Sequence, residues 1–132
     1  MWKDADVVSS YSRAEAIEDG VLVDMMQGEL GALAGEAGFV FSIAMTETAF
    51  SRFVALTPAA VRAGNDMNGR WWDILVMLKR EIKIAKRGTS ELLFNFRCVV
   101  DRIQPTPCVL KSVCGPGDHG EPVITIMLPE ED

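Results

Sequence analysis

The chain has 132 residues, 48 % of them hydrophobic and 24 % charged, with a formal net charge of −6. That is the size of one domain, roughly 100–150 residues, with enough apolar material to fold without disulfide or metal staples. Whole-chain disorder is thereby excluded, and a single α+β domain over residues 1–132 is expected. No apolar run approaches the ~20 residues of a membrane-spanning helix, and the opening MWKDAD lacks the basic start and apolar middle of a secretory signal. A cytoplasmic protein without membrane contact is expected.

The three cysteines, Cys98, Cys108 and Cys114, are odd in number and show no CxxC spacing. Buried reduced thiols are expected. A zinc site would need a fourth ligand, and only His119 is on offer, so neither metal nor cofactor is expected. Charge is unevenly spread: residues 1–50 carry nine acids against Lys3 and Arg13, while the remainder is nearly neutral. An acidic half disfavours direct nucleic-acid binding, which relies on cations that neutralise phosphates. It suits attraction to a basic partner surface.

In chain order, Ser12 and Glu15 form a capping box for a short helix over residues 13–19, ended by Gly20. Residues 21–24 (VLVD) read as a short strand, and residues 28–38 as a weak helix burdened by Gly31 and Gly35, each costing roughly 1 kcal/mol relative to Ala. Residues 39–44 (FVFSIA) are β-prone, and Thr46 is placed to cap a helix over residues 47–56. Thr57 and Pro58 then signal a new helical start, followed by the turn formers of residues 64–69.

The strongest helix signal covers residues 70–87. Trp71, Ile74, Leu75, Leu78, Ile82 and Ala85 recur at steps of three and four, predicting one apolar stripe. Lys79, Arg80, Lys83, Lys86 and Arg87 crowd its end, where they complement the helix dipole, and Gly88 stops it. From Glu91 the period becomes two, with Leu92, Phe94, Phe96, Cys98 and Val100 on one face. Residues 104–107 break that run, and residues 108–114 and 123–128 follow as two more strands. The pattern predicts a C-terminal three-stranded antiparallel meander packed against the long helix, with shorter N-terminal helices.

Few motifs point to chemistry. Residues 115–120 (GPGDHG) hold the only histidine, but neither a lysine nor a helix follows, so a tight turn is expected with positive φ at Gly117 and Gly120. Cys114, Asp118, His119 and Glu121 form an alternative site for a small enzyme or ligand-binding domain, since a histidine beside carboxylates can be tuned for general catalysis. No GxSxG elbow is present, and a strand end is not the electropositive setting that activates a thiol. Lys79, Arg80, Lys83, Lys86 and Arg87 form an alternative nucleic-acid patch for a DNA-binding regulator. Trp71 and Trp72, about 100° apart on a helix, cannot both face one core, so one of them is a partner-site candidate.

Residues 11–24 (YSRAEAIEDGVLVD) resemble the opening of an uncharacterised bacterial family carried largely on plasmids, integrated elements and phages. Residues 36–39, 69–75 and 91–94 look like its middle landmarks, and residues 111–129 (KSVCGPGDHGEPVITIMLP) like its closing signature; residues 57–68 depart from it. The resemblance lends no catalytic residues. It implies a mobile-DNA setting, where small acidic inhibitors of host defence, including anti-CRISPR and anti-restriction proteins, are common. The expectation is a non-enzymatic accessory protein that binds a host protein or protein–nucleic-acid complex. Its acidic surface would compete for a nucleic-acid-binding site, with Glu15, Glu18, Asp19, Asp24, Trp71 and Trp72 as candidate contacts.

Overall fold

The computed structural model describes residues 11–55, 58–62, 66–86, 88–98 and 106–131. The expected turns and caps at Thr57, Gly64, Asn65 and residues 99–105 lie outside them. Five helices and five strands are found among the described residues: α1 Arg13–Glu18, β1 Leu22–Asp24, α2 Gly28–Glu36, β2 Ser42–Thr46, α3 Glu47–Phe53, α4 Pro58–Arg62, α5 Met67–Ile84, β3 Glu91–Cys98, β4 Thr106–Pro116 and β5 Pro122–Met127.

The local signals explain most boundaries. Ser12 accepts from the Glu15 amide, and Glu15 reaches back to the Ser12 amide, so both halves of the capping box form. Thr46 ends β2 and also caps α3 by accepting from the Ala49 amide at 3.2 Å. The β-prone residues 39–44 become a strand only from Ser42 onward. The Phe39 amide is taken by the Ala34 carbonyl, and Gly38 turns at φ +95°, so the first apolar residues close α2 instead of joining the sheet. The long helix starts earlier and ends earlier than expected. Asp66 caps it by accepting from the Gly69 amide at 2.6 Å, and Ala85 is already extended, which leaves Lys86 beyond the helix.

The meander is part of a larger sheet. β3, β4 and β5 pair antiparallel as expected, but the order is β1-β2-β5-β4-β3, with β5 parallel to β2 and β1 antiparallel to β2. The expected three-stranded sheet is therefore a mixed five-stranded one. The parallel register sets Ile43 beside Ile124 and Met45 beside Ile126. The helical region from α3 to α5 thus forms part of the crossover that parallel strands require. β4 begins at Thr106 despite Pro107, because β5 pairs only from Lys111 onward and, among the described residues, no strand pairs with that side of the stretch.

One face of the sheet carries the core. Ile43, Met45, Phe94, Leu110, Ile124 and Ile126 meet Trp71, Ile74, Leu75 and Leu78 of α5, all fully buried or nearly so. Trp71 also donates its ring N–H to the Leu30 carbonyl at 3.0 Å, tying α5 to α2. Phe53 meets Phe96 edge-on at 5.1 Å between ring centres. Arg70 is buried and donates through Nε to the Phe53 carbonyl at 2.7 Å, satisfying the C-terminus of α3. Ile82, expected on the core stripe, is exposed, because the helix runs past the edge of the packed region.

Leu78→Ala is expected to destabilise the protein by about 2–5 kcal/mol through a lost transfer term and a cavity, read from urea unfolding. Val76→Ala, on the exposed flank of the same helix, is expected to stay within about 0.5 kcal/mol. Equal losses would contradict the packing described.

Candidate functional site

The second face of the sheet is reached by α1, which is held there by side chains at both ends of the chain. Asp118, in the turn between β4 and β5, accepts from the amides of Arg13 at 2.7 Å and Ala14 at 3.0 Å. With Ser12 taking the Glu15 amide, this satisfies the first orphan donors of the helix. Those two backbone N–H groups hold the Asp118 carboxyl below its ordinary range. Arg13 then lays its half-buried guanidinium on β5, donating to Thr125 Oγ1 and to the Ile124 carbonyl, each at 2.7 Å. Desolvation pulls the Arg13 pKa down, while the nearby carboxylates of Asp24, Asp118 and Glu121 oppose that shift.

Beside this clasp lies an open cleft of about 990 Å³, lined by Tyr11, Arg13, Thr46, Glu47, Thr125 and Glu131 among others. Three of the expected acidic contacts, Glu15, Glu18 and Asp19, stand exposed on or next to α1. The Tyr11 hydroxyl donates to Asp19, which pushes the Tyr11 pKa up to about 12. Asp24 differs from these three: half-buried, it accepts from the Met26 amide and from the Gln27 side chain, both at 2.9 Å, and so shapes the β1–α2 turn.

The alternative site does not assemble. Asp118 is spent on α1, and His119 is exposed, its amide donating to Glu121 Oε1 at 2.8 Å. Cys114 is half-buried, pairs with Ile124 in the sheet, and lines a separate groove beside Lys79 and Ile82. Cys108 is likewise half-buried. Among the described residues no group of three or more His, Cys, Asp or Glu could hold a metal ion. The turn itself forms, closed by the Gly117 amide on the Glu121 carbonyl. Only Gly120 of the two expected glycines takes positive φ, +83°. At Gly117 the constraint is space, since a Cβ would fall within 3.0 Å of the Glu121 carboxylate and Val123.

Trp71 is fully buried and thus lost as a partner contact; Trp72 is half-buried at the surface. The basic patch is split. Lys79 donates its ammonium to the Ala37 carbonyl, Arg80, Lys83 and Lys86 are exposed, and Arg87 lies outside the described residues. Trp72, Val76, Arg80, Lys83 and Ile84 line a shallow groove of about 480 Å³ rimmed by Glu36. Sequence reasoning missed this second apolar stripe, though Trp72, Val76 and Ile84 recur at steps of four and eight, with Arg80 and Lys83 beside them. It also missed that Asp118 caps a helix more than one hundred residues away.

Fold and surface together define an α+β protein with a mixed five-stranded sheet, a clasped acidic helix on one face and a cationic helix on the other. The chain belongs to a family of unknown function, DUF6573, which matches it over residues 1–132. No curated protein and no solved structure matches it. Among the described residues no helix is long and apolar enough to cross a membrane.

Asp118→Asn is expected to lower the thermal midpoint at pH 7, because an amide offers one acceptor oxygen, uncharged, to two N–H groups. The folded pKa of Asp118 is depressed, so its contribution is fully present above the ordinary carboxylate value of about 4. The contribution is lost as pH falls through the folded value, and the gap between wild type and variant closes there. His119→Ala is expected to shift stability by no more than about 0.5 kcal/mol. A gap that stays constant down to pH 2 would contradict the clasp.

Proposed function

We propose that the protein is a non-enzymatic accessory protein of a mobile genetic element that binds a basic, nucleic-acid-binding surface of a host assembly and blocks it. A host-defence complex of the kind countered by anti-CRISPR or anti-restriction proteins is the fitting target class. The supporting observation is that Glu15, Glu18 and Asp19 stand exposed on a helix immobilised by Arg13 and Asp118. A surface fixed before the encounter avoids part of the ordering cost of binding. Its negative charge steers a cationic partner and opposes phosphate-bearing competitors.

The test is capture from host extract with tagged protein, followed by the effect of added protein on the captured assembly's binding of labelled nucleic acid. Wild type is expected to retain an assembly at low salt, to release it as salt rises, and to suppress its nucleic-acid binding. Glu18→Lys combined with Asp19→Lys, with native circular dichroism, is expected to weaken that suppression about tenfold or more, equivalent to about 1.4 kcal/mol. Retention insensitive to both salt and charge reversal, or no retained assembly, would contradict the proposal.

A further inference from the structure

The outward flank of α5 has no covering element among the described residues that accounts for its chemistry. Val76 and Ile84 are exposed there, Ile84 to 70 %, beside the half-buried Trp72. Arg80 and Lys83 flank these apolar groups in the same groove. An apolar floor whose edges carry Arg80 and Lys83 against the single carboxylate of Glu36 favours an occupant that is apolar and acidic. Nucleic acid suits it less well, because a groove dominated by Trp72, Val76 and Ile84 tracks no phosphate backbone and the chain's net charge is −6.

A surface of the required kind exists on the same molecule. Around α1, Tyr11 and Val21 are exposed apolar side chains, 54 % and 52 %, among Glu15, Glu18 and Asp19. The two surfaces cannot meet within one chain. Thr125, which holds Arg13 and hence α1, points to the sheet face opposite Ile124 and Ile126, which join the α5 core. The five-stranded sheet separates them.

The geometry points to head-to-tail self-association, in which the Trp72–Val76–Ile84 groove of one copy receives the Tyr11–Glu18–Val21 edge of another. Since the two surfaces differ, the contact is heterologous: each added copy leaves one surface of each kind open, and growth does not stop at a dimer. The small apolar area places the contact in the weak class, with an expected Kd between about 1 µM and about 1 mM. Self-association would cover the acidic edge assigned to partner binding. It shares that edge with the function proposed above but does not depend on it, since two copies can associate whatever the edge binds elsewhere.

Analytical ultracentrifugation of the purified chain and two double variants tests the inference. Wild type is expected to gain mass continuously with concentration. Arg80→Glu with Lys83→Glu, and separately Glu18→Lys with Asp19→Lys, are each expected to remain monomeric with native circular dichroism. An equimolar mixture of the two variants is expected to associate again, because one contributes the intact acidic edge and the other the intact groove. A wild type that stays monomeric to about 1 mM, one that saturates as a dimer, or a mixture that does not associate would each overturn it. So would a monomeric wild type that binds a labelled single-stranded oligonucleotide through Arg80 and Lys83, which assigns the groove to nucleic acid. The groove variant retains the acidic edge, so capture of a host assembly by it separates failure of self-association from failure of the proposed function.

Discussion

The outer face of the sheet depends on one contact between distant parts of the chain: the Asp118 carboxylate on the first amides of α1. A six-residue helix has little stability of its own, because nucleation is unfavourable and too few bonds follow it. Asp118 and Ser12 supply the acceptors its N-terminus lacks, and Arg13 supplies a lateral anchor on β5. Only because that helix is fixed do Glu15, Glu18 and Asp19 form a defined acidic edge instead of a fluctuating one.

The same contact decides how the 115–120 turn is understood. A histidine between two carboxylates in a glycine-rich turn resembles a reactive cluster on paper. In space the carboxylate of Asp118 faces α1, Glu121 folds over Gly117 and takes the His119 amide, and Cys114 belongs to the groove beside Lys79. The carboxylates of this segment are engaged in chain geometry: Asp118 caps α1, and Glu121 closes over Gly117 and takes the His119 amide.

Much of the architecture was legible in the sequence because it rests on short-range rules. The capping box at Ser12, the cap at Thr46, the α5 stripe through Trp71, Ile74, Leu75 and Leu78, and the alternation of Phe94 and Phe96 all act within a few residues. The parallel pairing of Ser42 with Val123 was not legible, since two strands about eighty residues apart share no turn that announces them. The end of α5 at Ile84, short of Gly88, was also hidden, and with it the separation of Lys86 from the helix. Of the site residues, Glu15, Glu18, Asp19 and Trp72 lie at the surface, whereas Asp24 and Trp71 turned inward to serve a turn and the core. Burying Arg70 ran against the rule that charges stay outside, and its reason, the Phe53 carbonyl, becomes visible only once α3 and α5 are packed.

Amide hydrogen exchange in wild type and Asp118→Ala probes the clasp most directly. If Asp118 holds α1 to the sheet, the amides of Arg13 and Ala14 exchange slowly in the wild type and at least about tenfold faster in the variant, while those of Phe94 and Leu110 keep their protection. Unchanged exchange across α1, or loss of protection throughout the sheet, would show that the acidic edge is not fixed in the way described.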